Sequence, residues 1–303
     1  MENQEQESPN EKIKFTEKFE KFHDKNYKLL LLIPAAILIF CFVYMGIFYS
    51  QNNDFIYKDI SLTGGTSVTI NTQINVNEIK QALSDKLENI NTREIYDLIT
   101  REQIAVIIET KTEGTQTKQI LENYLGYELN GENSSFEFTG STLSESFYQQ
   151  LLIAILFAFA FMAIVVFIIF RNFVPSVAVI ISAFADIFMT LVLVNLLGIQ
   201  MSSAGIIAFL MLIGYSVDTD ILLTTKVLKR EGPLNERLSK SFRTGIKMTL
   251  TSLLAITFAL IIVSSFSVVL TQIFTILVIG LVFDLLNTWI TNVSILKWYA
   301  KRK

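Results

Sequence analysis

A chain of 303 residues that is 51% hydrophobic and 17% charged, with a mean hydropathy of +0.46, has too little polar surface to solvate a globular exterior and reads as a membrane protein. Its 25 Lys and Arg against 28 Asp and Glu give a net charge of -3, which excludes the basic body that nucleic-acid binding requires. A lone Cys41 in an apolar run and a lone His23 in a polar tail exclude internal disulfides and a His/Cys metal cage, so neither metal nor cofactor is expected.

In chain order, residues 1–27 form a mixed-charge tail, too long for a simple signal-peptide n-region, and the apolar run 28–49 follows with no cleavage pattern after Tyr49. It reads as a retained first transmembrane helix. Residues 50–147 then make one large polar loop that reads as a folded domain. Thr66 to Asn71 alternates as a strand; Asn75 to Glu78 has a capping-box pattern, and Val76, Ile79, Leu83 and Leu87 form the apolar stripe of the helix it opens. Two β-rich runs, Glu94 to Ile99 and Ile104 to Glu109, precede a second helix with Ile120, Leu121, Tyr124 and Leu125, and Ser135 to Thr139 closes the domain. The order is βαββαβ, which predicts a ferredoxin-like α+β fold with two helices over one face of an antiparallel sheet. Such a domain either binds peptide or rests on the spans.

Residues 148–295 hold five further runs of about 20 apolar residues, the length that crosses a bilayer as a helix. They lie near 148–170, 174–196, 201–225, 246–264 and 269–293, and residues 296–303 form a short tail. The chain is thus expected to be a polytopic α-helical protein with six transmembrane helices. Lys226, Lys229, Arg230, Arg237, Lys240, Arg243 and Lys247 crowd the link after span four, and Lys297, Lys301, Arg302 and Lys303 end the chain. Positive charge near spans is retained in the cytoplasm, which places both termini there and the loop 50–147 outside the cell. The turns near Gly198 and Ser265 carry no charge and are expected to face outward.

Carboxylates in hydrocarbon are costly and default to functional candidates. Four qualify: Asp186, with Ser182 and Thr190 on the same helical face; Asp218 and Asp220 in span four; and Asp284, followed by Asn287 and Thr288. Asp218 and Asp220 cannot share a face, because two residues advance a helix by about 200°. Gly214 lies one turn before Asp218 and would let a neighbouring helix approach there, so Asp218 is the favoured titrating group. On span five, Arg243, Lys247 and Thr251 repeat at i, i+4 and i+8 and would bring a cation toward the carboxylates. Burial favours the neutral acid and a cation the charged one, so a group between those pulls can relay protons. The plainer alternative is that these groups are interhelical hydrogen-bonding glue.

Other chemistry finds no support: there is no GxxxxGK[ST] phosphate loop and no GxSxG elbow. The Gly64-Gly65 pair marks a tight turn or bulge, and Pro175 starts span three, where its missing N–H is tolerated. An intramembrane aspartyl protease is the alternative from another class, since two membrane aspartates sharing a proton activate water. That family pairs Tyr-Asp with Gly-x-Gly-Asp on successive spans, and the stretch from Gly280 to Asp284, GLVFD, lacks the second glycine.

The stretch from Phe170 to Val177 (FRNFVPSV), the run from Gly214 to Leu223 (GYSVDTDILL) and Gly64-Gly65-Thr66 after span one resemble the SecF family in its archaeal form. The resemblance covers about residues 28 to 295. It implies a non-enzymatic subunit that joins SecD at the Sec translocon in the cell membrane, among membrane lipid, and assists export of unfolded polypeptide. SecF belongs with the resistance-nodulation-division transporters, and the resemblance therefore also implies proton-coupled motion. Asp218 stands at the family's span-four acidic motif, and Lys247 where bacterial relatives have arginine. Two departures are present. Bacterial relatives read Asn-Asp where this chain has Asp218-Thr219, and Ser61 occupies a position at which many relatives have aspartate. Six spans are half of a two-fold transporter, so a homologous second half is implied. A structural subunit without ion coupling is the remaining alternative.

Overall fold

A computed structural model describes residues 29–97, 100–229, 233–264 and 267–302. The expected tail with His23, Leu98 and Ile99 at the end of the second β-run, Arg230, the turn at Ser265 and Lys303 lie outside the described residues.

Six described helices are long and apolar enough to cross a membrane. The first, α1 (Leu32–Asn52), ends where Asn53 turns left-handed. A four-residue helix, α2 (Ile60–Thr63), leads into β1 (Gly65–Ile70), α3 (Val76–Leu83), β2 (Asn91–Tyr96), β3 (Gln103–Thr110), α4 (Gly114–Leu125) and β4 (Ser134–Thr139). The remaining spans are α5 (Ser141–Phe170), α6 (Phe173–Leu196), α7 (Ser203–Lys229) and α8 (Leu234–Val263). The last begins as α9 (Val268–Leu286), continues through a π-helical segment, Asn287–Asn292, and ends as α10 (Val293–Arg302).

The four strands form one antiparallel sheet in the order β2-β3-β1-β4. Strand alternation sends Val68, Ile70, Val106 and Ile108 to one face, where they are buried against Ile79 and Leu83 of α3 and Leu121 of α4. Each such side chain contributes about 1.5–3 kcal/mol by leaving water. Asn75 opens α3 by accepting from the Asn77 N–H at 3.0 Å, and its amide donates to Glu78 at 3.3 Å, a variant of the expected capping box. The second strand starts at Asn91, three residues before the apolar alternation that marked it. Polar contacts extend it: Asn91 and Arg93 both donate to Glu109 on β3, at 3.1 and 3.2 Å.

The sheet's other face, with Ser67, Thr69, Ile107 and Glu109, turns toward the spans and roofs a cleft of about 450 Å³ floored by Ser202, Ser203 and Gln272. Three connections hold the domain there. Met201 donates to the Tyr57 carbonyl at 2.5 Å, and Asp59 donates through its backbone N–H to Met201 at 3.0 Å. The Tyr148 hydroxyl on α5 donates to Asp54 at 2.8 Å, while Lys58 pairs with Asp54 and lies over the Tyr148 ring. Gly64 and Gly65 make the third, with φ of +80° and +145°. A Cβ on Gly64 would meet the Ser141 backbone at the start of α5, and one on Gly65 the Thr110 carbonyl. Gly64→Ala is therefore expected to lower the melting temperature in detergent, since backbone strain alone costs about 1–3 kcal/mol. An unchanged melt would contradict this role for the glycine pair.

In the membrane region α9 packs against α6, α7 and α8 at the centre of the bundle, whereas α5 exposes most of its length. Pro175 lies in the first turn of α6, where no intrahelical donor is lost.

Candidate functional site: three buried carboxylates

Asp186 of α6, Asp220 of α7 and Asp284 of α9 are all fully buried. The sequence dictates this by helical phase. On α6, Ser182, Asp186 and Thr190 are one turn apart and every one is buried, and on α7 Ser216 and Asp220 form a parallel stripe. Asp186 accepts from the Ser216 hydroxyl at 2.5 Å through Oδ2 and from the Asn287 amide at 2.7 Å through Oδ1. Asp220 Oδ1 accepts twice, from the Thr288 hydroxyl at 2.9 Å and the Asn292 amide at 2.7 Å. Thr288 lies 3.1 Å from Asp284 Oδ1 as well, so one hydroxyl stands between two carboxylates.

The π-helical segment makes this convergence possible. Asn287 and Asn292 are five residues apart, about 140° of rotation on an α-helix. The i→i+5 bonding of a π turn brings Asn287, Thr288 and Asn292 to the carboxylate side together, a distortion that recurs at functional sites. Thr291 completes the set by donating to Asn287 Oδ1 at 3.1 Å.

Every hydrogen-bond donor described for the three carboxylates is neutral. Asp220 Oδ2, Asp284 Oδ2 and Asn292 Oδ1 are buried with no protein partner among the described residues. Buried polar atoms are normally satisfied; three orphans in one cluster mark a site that a proton or water can serve. Among the described residues no cluster of His, Cys, Asp or Glu is arranged to hold a metal ion, and no two of the carboxylates are hydrogen-bonded directly to each other.

The other candidates lie elsewhere. Asp218 is exposed, on a face of α7 with Gly214, and no described residue beyond that glycine's own stretch of helix comes within 4 Å of a Cβ built on it. The helix approach expected at Gly214 is therefore not made by the described spans. The physical reason is the 200° step: α6 and the π segment occupy the Ser216–Asp220 side, leaving the Gly214–Asp218 side open. Arg243, Lys247 and Thr251 are likewise exposed along α8, and neither cation bonds to the three buried acids. Ser216, Thr291 and Asn292 were not singled out by sequence reasoning; the polar spacing NTWITN within an apolar span was the available signal for the last two.

Asn287→Leu would strand Asp186 Oδ1 and the Thr291 hydroxyl. With about 1–3 kcal/mol for each orphaned group, the variant is expected to melt well below the parent in detergent, and an equal melting temperature would show that Asn287 does not hold Asp186.

The family model for the protein export membrane protein SecD/SecF, C-terminal, matches residues 118–302. The chain is 41% identical over 281 residues to the protein-export membrane protein SecF of Methanocaldococcus jannaschii, covering 91% of this chain and 96% of that one. The chain belongs to the SecF family. SecF of Methanolacinia petrolearia is 34% identical across 95% of this chain and 98% of its own. A crystal structure of SecDF, a translocon-associated membrane protein from Thermus thermophilus, aligns with a TM-score of 0.71 at 20% identity. It covers 90% of this chain, which spans 38% of that longer protein, and shows that the fold is shared. Six apolar helices together with SecF membership make this a multi-pass membrane protein.

Proposed function

We propose that this chain assists Sec-dependent protein export as the partner of a SecD subunit and couples that work to the proton gradient through Asp186, Asp220 and Asp284. The observation that carries the reading is the burial of three carboxylates whose described donors are all neutral hydroxyls and amides. Such a cluster holds or gives up protons without a fixed counter-ion to lock its charge. The exposed stripes of Gly214 and Asp218 on α7 and of Arg243 and Lys247 on α8 are the face that a homologous half would cover. On it Asp218 and Lys247 await partners from SecD.

The sheet domain is then a ferredoxin-like module, supported by its βαββαβ order and 2-3-1-4 sheet. It lies outside the cell and handles emerging unfolded polypeptide. Lys226, Arg237, Lys240, Arg243 and Lys247 around the α7–α8 link, with Lys301 and Arg302, support cytoplasmic termini in the cell membrane. The protease reading loses ground because the Thr288 hydroxyl stands between Asp220 and Asp284 and no two of the carboxylates share a described hydrogen bond.

The test is export of a preprotein into membrane vesicles carrying the complex, with and without a proton ionophore. The complex should stimulate export only while the gradient stands. Equal stimulation after the gradient is collapsed would leave a structural subunit without ion coupling.

A further inference from the structure

Between the sheet domain and the spans lies a second acidic cluster. Asp59, in the segment joining α1 to the sheet domain, is nine-tenths buried. Its Oδ1 accepts from the backbone N–H of Ser61 at 2.8 Å and from the Ser61 hydroxyl at 2.6 Å. The same Ser61 oxygen accepts from the Ser203 N–H at 2.9 Å, at the first residue of α7. Asp59 is therefore two hydrogen bonds from the start of the helix that carries Asp220. Ser61, at the position where many relatives have aspartate, is thus held by an acid two residues earlier in the chain.

Above Asp59 the sheet contributes Arg93 of β2 and Glu109 of β3, joined at 3.2 Å, with Glu137 of β4 on the rim of the same cleft. On the other side the neighbouring cleft brings Asp54, Lys58, Lys80 and Lys111, of which Asp54 and Lys58 are paired with each other. Arg93 is shared: it serves Glu109 and lies 3.4 Å from Gln200 Oε1, which also accepts from Asn91 at 2.7 Å. Gln200 is in the turn between α6 and α7, so the sheet is seated on the membrane bundle through this charged corner.

We propose that Asp59 is a protonation switch at the joint: neutral, it lets the sheet domain seat on the spans, and ionised, it loosens that seat through repulsion from Glu109. Burial, followed by the Glu109 charge, outweighs the Ser61 bonds and Arg93 and pushes the carboxyl up to about 6 from an ordinary 3.8. The sign follows from linkage. The seated state binds more protons than the loosened one, so seating is strongest below the ordinary value, weakens as pH rises toward about 6, and is flat in this group above it. The device is separate from the intramembrane acids and is read by a distance rather than by export, so either reading can fail while the other stands.

The experiment uses the full chain with its co-purified companion in lipid nanodiscs, on a Cys41→Ala background. Spin labels at Ser84→Cys, an exposed position at the end of α3, and at Leu197→Cys, exposed at the end of α6, report the seating distance by pulsed electron resonance. The parent should give a broad distribution above pH about 6 that narrows as pH is lowered toward about 4. Asp59→Asn should be narrow throughout, and Glu109→Gln, which removes the like charge and frees Arg93, should move the narrowing to lower pH. A parent distance indifferent to pH, narrowing that persists in Asp59→Asn, or an unshifted profile in Glu109→Gln overturns the proposal.

Discussion

Asp220→Asn is expected to reduce proton-driven export to the level seen without a gradient, while the protein assembles and melts as the parent does. The substitution is clean because of how the carboxylate is held. Both described hydrogen bonds, from Thr288 and Asn292, end on Oδ1, and Oδ2 has no described partner. An asparagine oxygen can keep both bonds and place its amide at the orphan position, so packing survives and only the ability to change charge is lost. Asp218→Asn beside it tests the exposed face: its effect should depend on the companion subunit rather than on the bundle itself. Export at the parent's rate with Asp220→Asn, measured in vesicles holding a gradient, would remove this residue from the coupling path.

The second large effect concerns the sheet domain. Deleting 66–139 is expected to abolish stimulation of export while the six spans still insert and still bind the companion. The geometry favours such an excision, because Gly65 and Thr139 are directly paired across β1 and β4 and Gly64 packs on Ser141. A short Gly-rich link can therefore close the gap without dragging α1 away from α5. The apolar core of the sheet domain forms its own cluster, distinct from those of the spans, so its removal opens no cavity in the membrane bundle. Undiminished stimulation by the deleted protein, assayed with the same preprotein, would show that the domain does not handle polypeptide.

Much of this architecture was legible because it rests on local periodicity. Runs of about 20 apolar residues leave few alternatives to spanning helices, and the alternation of β1 and the stripe of Ile79 and Leu83 determine which faces of sheet and helix meet. The acids were legible as charges in oil, but which of them face the inside of the bundle was not. Asp218 and Asp220 differ only in helical phase, and which phase is inside depends on where α6 and the final span pack, information spread over residues far apart in the chain. The π segment was invisible for a related reason: its extra residue per turn is held by the bonds of Asn287, Thr288 and Asn292 to carboxylates on α6 and α7, not by any propensity of its own. Asp59 escaped notice because it lies outside every span. Its burial is produced by Met201 and Ser203, more than a hundred residues later, and by the charged face of a sheet that must first fold.

Both acidic sites share one feature: among the described residues no cation is given over to either alone. Asp59 competes with Glu109 for one arginine, and among the described residues the three buried acids are met by hydroxyls and amides. A fixed ion pair would hold each group charged; neutral donors leave the charge free to follow the proton supply.

Infrared difference spectroscopy of the assembled complex, with carbon-13-labelled aspartate, tests that most directly. A protonated carboxyl band that appears and disappears as pH is stepped across the working range, and that Asp220→Asn removes, is the predicted result. A spectrum in which the bundle's aspartates stay wholly ionised or wholly neutral at every pH would contradict the account.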